Sequence, residues 1–184
     1  HWGCQSIKIK MKIPNKQGSS DDFQTPEWAI KPLLPFLKRD WTIWECACGK
    51  GNLCRAFRKE GFNVVGTDIL YGFDFLTNKP VQCDCIVTNP PYSIKQQFLE
   101  RAYQLKTPFA FLLPLTTFET AKRQKLFREH GLEVIFFDNR INFETPTGKR
   151  SRSWFATAWF TFGLNIGKEM TFTKTKDYNL LPIC

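Results

Sequence analysis

The run PFAFLLPL, residues 108–115, sets the strongest limit on what this chain can fold into. It carries no charged or polar side chain, yet it falls well short of a membrane span. A strand this continuously apolar is buried on both faces, the mark of a mostly parallel sheet covered by helices. The rest of the sequence alternates as such a sheet requires. Further strands are predicted at 41–46 (WTIWEC), 62–69 (FNVVGTDI), 83–89 (CDCIVTN), 132–137 (LEVIFF) and 154–162 (WFATAWFTF). Helices are predicted at 26–38, over LCRAFRKEG to a stop at Gly61, over 94–105, and over ETAKRQKLFREHG to a stop at Gly131. Pro26 opens the first of these, and Pro32 and Pro35 break or kink it. No helix separates the last two strands, so they are expected to pair as an antiparallel hairpin at one edge of an α/β sheet.

The 184 residues suit one domain with a substantial core. The sequence is 42% hydrophobic and 15% aromatic, which fits a packed globule and excludes a disordered chain. Residues 1–20 are expected to be a flexible N-terminal segment ahead of a single domain over 21–184. The first ten, HWGCQSIKIK, read as a non-native addition or an upstream extension, because Met11 opens a plausible start. No basic-then-apolar leader is recognised, and seven cysteines, several in apolar runs, suit reduced thiols in a cytoplasmic protein. A formal charge of +9, from 26 Lys and Arg against 17 Asp and Glu, favours an anionic partner such as nucleic acid.

Two stretches point to chemistry. The first predicted strand runs into ECACGKGN, with Glu45, Gly49 and Gly51. A glycine turn after the first strand of an α/β sheet lets a ligand approach the backbone at the carboxyl edge. Asp68 ends the second strand, where an acidic side chain is placed for ribose hydroxyls. No Gly-Lys-Ser/Thr follows at P-loop spacing, and Cys54 and Arg55 stand where a third glycine of a dinucleotide fingerprint would fall. A nucleoside ligand without a pyrophosphate fits better, and a helix-cap turn with no ligand is the alternative for the glycines alone.

The third strand ends in Asn89-Pro90-Pro91-Tyr92. Two prolines remove two donors and fix φ twice, so no ordinary strand continues through them. The Asn89 side-chain oxygen and the Pro90 carbonyl can each accept one hydrogen of an exocyclic amino group. Pro91 stiffens the corner and Tyr92 offers a face for stacking a base. Two acceptors around one planar nitrogen catalyse by positioning and by dipoles.

The order FQTP (23–26), ECACGKG (45–51), TDI (67–69), DFL (74–76) and NPPY (89–92) resembles the S-adenosylmethionine-dependent amino-methyltransferases. It looks most like DNA N6-adenine methyltransferases, including small phage-type enzymes, from about Phe23 to Phe162. The resemblance implies a class I, Rossmann-like methyltransferase fold: a seven-stranded, mostly parallel sheet with a C-terminal antiparallel hairpin. It implies S-adenosylmethionine as cofactor, with Thr25 and Pro26 at its methionine end. Glu45, Ala47, Cys48, Gly49 and Gly51 would lie beneath methionine and ribose, Asp68 on the ribose, Asp74 on the adenine amino group and Phe75 on the adenine ring. Asn89 to Tyr92 would grip the target amino group. No metal and no histidine base are implied, and His130 suits a helix end or the surface.

In the related enzymes the region NRINFETPTGKRSRSW (139–154) faces nucleic acid. Arg140, Lys149, Arg150 and Arg152 are accordingly expected on phosphates, and Phe143 as a second stacking ring for a flipped base. A solvated basic loop with Phe143 in the core is the alternative. The pairs Cys46/Cys48 and Cys83/Cys85 lack the spacing and histidine companions of a zinc site, and Cys48 is a thiol that alkylation would block. The expected substrate is adenine in DNA, ahead of adenine in structured RNA, a protein glutamine, or no substrate at all in a non-catalytic subunit. A partner subunit or homodimer could supply target recognition.

Overall fold

The computed structural model describes residues 24–144, 150–151 and 155–174. The N-terminal segment expected over 1–20 and the proposed start at Met11 lie outside them. In chain order the elements are a 3-10 helix Glu27–Phe36, β1 Thr42–Glu45, α1 Asn52–Lys59, β2 Asn63–Gly66, β3 Cys85–Thr88, α2 Lys95–Leu105, β4 Phe109–Pro114, α3 Ala121–His130, β5 Glu133–Phe137, β6 Phe143–Glu144, β7 Arg150–Ser151, β8 Thr157–Phe162 and β9 Met170–Thr173. Seven strands form one sheet in the order β2-β1-β3-β4-β8-β5-β9, and β6 and β7 pair separately.

Strands β2, β1, β3 and β4 are parallel neighbours. Every residue of β3 and β4 is buried, including Thr88 at the end of the otherwise apolar β3. Strand β8 runs antiparallel between β4 and β5, from Phe109↔Phe162 to Pro114↔Thr157 on one side and Glu133↔Thr161 to Phe136↔Ala158 on the other. The expected antiparallel pair is therefore β5–β8, but it is not at the edge. The edge belongs to β9, parallel to β5. Sequence reading passed over β9 because it is short and only alternately shielded, with Met170 and Phe172 exposed.

The predicted strands are longer than those formed. The stretch read as 62–69 pairs only over Asn63–Gly66, because the chain then turns to close the site. The Thr67 amide donates to the Glu45 carbonyl at 2.8 Å, and the Cys48 amide donates to the Thr67 carbonyl at 3.0 Å. The segment read as a helix over 26–38 is a 3-10 helix. Pro32 and Pro35 supply no N–H inside it, which breaks the α-helical ladder.

Two aromatic-rich layers cover the sheet. On one face, Ala29, Ile30 and Leu33 of the 3-10 helix and Leu53, Ala56 and Phe57 of α1 pack on Ile43, Val87, Leu112 and Trp159. On the other, Phe98, Leu99, Ala102 and Tyr103 of α2 pack on Trp44, Ile86, Phe111 and Phe160. The buried Trp159 indole donates to the Ala29 carbonyl at 2.8 Å, tying the 3-10 helix to the sheet. Trp159→Phe leaves that carbonyl unpaired and is expected to cost about 1–3 kcal/mol. In urea unfolding the midpoint should fall with little change in slope; an unchanged midpoint would show the tie to be dispensable.

Candidate active site

Strand order reverses at β1: the chain goes from β1 to β2 on one side and then crosses to β3 on the other. In an open α/β sheet such a switch point leaves a crevice at the carboxyl ends of the strands. The loops after β1 and β3 bound it, and most of the residues singled out in the sequence lie there.

The loop after β1 is held by its own backbone and by the segment before the 3-10 helix. Gly49 and Gly51 have φ of +48° and +80°, a region that disfavours side chains. A Cβ at Gly49 would also fall 2.9 Å from the Gln24 amide nitrogen. The Lys50 amide donates to the Gln24 side-chain oxygen at 3.3 Å, and Asn52 donates to the Thr25 carbonyl at 3.4 Å. Thr25 and Pro26 are thereby pinned beside the glycine loop. Thr25 is buried, and its hydroxyl has no hydrogen-bond partner among the described residues.

Three carboxyl groups follow. Glu45, at the end of β1, is 1% exposed and accepts from the Ala47 amide at 3.1 Å. Burial pushes its carboxyl up to about 8, and the nearby Asp68 charge adds to this while the hydrogen bond from the Ala47 amide opposes it. The Asp68 oxygens accept from the Gly49 amide at 2.7 Å and from the Leu70 amide at 2.8 Å. Asp68 thus braces the loops after β1 and β2 together, a role that sequence reading missed. Each carboxylate oxygen still has a lone pair to spare. Asp74 closes a turn, accepting from the Leu76 amide at 2.9 Å and the Thr77 hydroxyl at 3.1 Å.

Cys48 is half-buried beside Cys54, and a Cβ at Gly66 would fall 2.8 Å from the Cys54 sulfur. Burial raises the Cys48 thiol above its ordinary range, as do the Asp68 and Glu45 charges, so it is a poor nucleophile at neutral pH. Among the described residues no cluster of three or more His, Cys, Asp or Glu could hold a metal ion. His130 is exposed at the end of α3, its ring stacked on Tyr103 at 4.8 Å.

Beyond Thr88 the chain turns at the two prolines into a short 3-10 turn, Tyr92–Ile94. The Asn89 side-chain oxygen is buried and accepts no hydrogen bond from any described residue. Tyr92 is partly buried beside Phe155, their rings 5.8 Å apart at 78°. The Lys95 ammonium donates to the Tyr92 carbonyl at 2.9 Å.

Two aromatic assignments change. Phe75 is 2% exposed, stacked on Phe98 at 4.8 Å and edge-on to Trp44, so its ring belongs to the core. Phe143 is also 2% exposed, packed in the cluster that holds Ile141 and Trp159. An apolar ring that can reach a core leaves water, and this removes Phe143 as an exposed stacking ring. Phe155, read only as part of a strand, is the ring beside Tyr92 instead. Arg140 is exposed just past the carboxyl end of β5. Arg150 lies in β7, which pairs with β6, while Lys149 and Arg152 lie outside the described residues.

No protein-family model and no curated protein matches the sequence. Solved structures do. One is the methyltransferase subunit of a type I restriction-modification system from Streptococcus thermophilus, with a TM-score of 0.56 and 19% identity over 83% of this chain and 47% of that one. Another is a protein assigned as a class I S-adenosylmethionine-dependent methyltransferase from Listeria monocytogenes, with a TM-score of 0.58 and 16% identity over 84% of this chain and 66% of that one. The chain has the class I methyltransferase fold. A third structure, assigned as an RNA methyltransferase from Pyrococcus horikoshii, has a TM-score of 0.50 and 15% identity, covering 73% of this chain and 77% of that one. The chain spans about half the length of the Streptococcus subunit and 66% of the Listeria protein. At such identities the likeness is one of fold.

Within that fold the Glu45 carboxyl carries a pH dependence. Its folded value of about 8 lies above the ordinary 4.5. Between those limits the folded state keeps a proton that the unfolded state releases, so this group's contribution to stability falls as pH rises and levels off above about 8. Glu45→Gln is expected to flatten that decline in urea unfolding at acid, neutral and alkaline pH. An identical pH profile in the variant would show that the Glu45 carboxyl titrates alike in the folded and unfolded states.

Proposed function

We propose that the chain is an S-adenosylmethionine-dependent methyltransferase acting on the exocyclic N6 amino group of adenine in DNA. The observation that carries this reading is the Asn89 side-chain oxygen, buried at the carboxyl end of β3 with no donor among the described residues. A buried acceptor left unpaired is costly, and a substrate amino group would satisfy it.

Features of the crevice also fit the cofactor. The Thr25 hydroxyl is buried without a partner at the segment read as meeting the methionine end. Glu45 is a carboxyl whose charge is disfavoured until donors or a cation arrive. Asp68 lies just past β2 with acceptor capacity left for ribose hydroxyls, and Asp74 lies in the following turn, where the adenine amino group is expected. Gly49 and Gly51 keep the backbone beneath open to close approach.

When bound, the cofactor supplies an electrophilic methyl group, and transfer forms an N–C bond, breaks the S–C bond and leaves S-adenosylhomocysteine. Asn89 and the Pro90 carbonyl take one amino hydrogen each and hold the nitrogen with its lone pair directed into the crevice. Pro91 keeps that corner from relaxing, and Tyr92 stacks on the base. The surplus proton of the alkylated nitrogen leaves to solvent along the same acceptors. Arg140, with Lys149, Arg150 and Arg152, would meet phosphates, in keeping with the +9 charge. The restriction-modification system named for the Streptococcus structure is in keeping with DNA.

The test is methyl transfer from labelled S-adenosylmethionine to duplex DNA, single-stranded DNA, structured RNA and a protein extract in parallel, with the product base identified. N6-methyladenine in DNA is expected; label only in RNA or protein would replace the substrate, and none anywhere would remove the enzymatic reading. Asn89→Ala should lower turnover by about 10²-fold or more while sparing cofactor binding. Asp68→Ala should weaken cofactor binding first. Equal loss of cofactor binding in both variants would overturn this division of roles.

A further inference from the structure

Tyr92 is held at two points by residues outside the Asn-Pro-Pro-Tyr motif. Lys95, in the first turn of α2, fixes its backbone carbonyl at 2.9 Å. Phe155 meets its ring with centroids 5.8 Å apart and planes at 78°. An edge-to-face contact of this kind prefers one relative orientation, because the electropositive edge of one ring meets the negative face of the other.

The position of Phe155 follows from the sheet. Thr157 begins β8 opposite Pro114, the last residue of β4, so the residues before it project past the carboxyl edge. The Leu115 amide donates to the Ala156 carbonyl at 3.0 Å and anchors the backbone there. Phe155 packs against the layer containing Trp159 and Phe143, whereas Tyr92 borders the opposite layer around Phe98 and Phe111. Their contact thus spans the two layers at the mouth of the crevice. The Tyr92 ring also packs on that second layer, with its hydroxyl buried, so the Phe155 edge completes an aromatic setting around it.

We propose that Phe155 is a positioning residue for the target base. It acts through Tyr92, fixing the plane in which that ring meets the base, while Lys95 fixes the backbone from which the ring projects. The inference rests on the reading of Asn89 to Tyr92 given above. On this basis Phe155 limits the orientation of a bound planar group and leaves the cofactor side of the crevice untouched.

The chain contains four tyrosines, which makes 3-fluorotyrosine labelling and fluorine NMR practicable. The Tyr92 resonance would be assigned by its loss in Tyr92→Phe. Phe155→Leu is expected to shift or broaden that resonance and leave those of Tyr71 and Tyr103 in place. It should also lower the single-turnover methylation rate of a duplex oligonucleotide about three- to tenfold. The Kd for S-adenosylmethionine should stay within about twofold of wild type. Phe155→Trp, which keeps an aromatic edge, should recover most of the rate. A Tyr92 resonance unmoved in Phe155→Leu, or a loss of cofactor binding matching the loss of rate, would overturn the proposal. If the wild-type chain methylates no nucleic acid, the functional reading fails, and the fluorine spectrum still decides whether Phe155 orients Tyr92.

Discussion

The reversal of strand order at β1 is the constraint on which the site depends. Helix α1, which follows β1, buries Leu53, Ala56 and Phe57 on one face of the sheet. Helix α2, which follows β3, buries Phe98, Leu99, Ala102 and Tyr103 on the other. Two helices leaving adjacent parallel strands toward opposite faces must draw their connecting loops apart. The crevice is therefore a consequence of connectivity, and it needs no side chain to hold it open. The connections then have to be stiff, because nothing else defines their spacing. Left-handed glycines, two consecutive prolines and the two-sided grip of Asp68 on the Gly49 and Leu70 amides supply that stiffness.

Charge in this molecule is divided. The chain carries +9 overall, yet the crevice gathers Glu45, Asp68 and Asp74. The described ion pairs, Lys31–Glu60, Lys59–Glu27, Lys122–Glu100 and Lys125–Glu129, involve none of these three. Backbone amides and a hydroxyl stabilise the three carboxyl groups instead. An amide spreads less charge than an ammonium and leaves the carboxylate able to attract a cationic or hydroxyl-bearing ligand. On the proposed function, a basic exterior would suit a polyanion, and a crevice lined by carboxyl groups would suit a neutral or cationic nucleoside inside.

The elements most legible in the sequence were those whose burial is complete. Strands β3 and β4 announce themselves because their side chains, Thr88 apart, are apolar whichever face they occupy. The corner Asn89–Tyr92 is legible for the opposite reason, since two prolines and an amide make no sense as packing. What escaped notice depends on tertiary distance. Phe143 and Phe155 are both rings in a region of turns, and only the fold decides that the first goes into the core and the second beside Tyr92. Phe75 follows an acidic residue in a motif-like position, but Phe98 claims one face of its ring. The bracing by Asp68 was hidden because a carboxylate at a strand end reads the same whether it meets a ligand or two backbone amides.

The corner after β3 also bears on what it can select. Two acceptors distinguish a planar NH2 from a hydroxyl, which has one hydrogen to give, but they do not distinguish a nucleobase from a side-chain amide. Tyr92 supplies that second distinction on the reading proposed here. Stacking of a base on an aromatic ring is worth about 1–3 kcal/mol, whereas a primary amide offers far less area to the same ring. The preference is realised only if the ring is held in the plane that the hydrogen bonds impose, because a freely turning ring would match the base in few of its orientations. Holding the Tyr92 carbonyl through Lys95 and its ring through Phe155 meets that requirement from two elements on opposite sides of the corner. On that reading, selectivity for a flat, amino-bearing ring would come from joining two modest preferences in one fixed geometry.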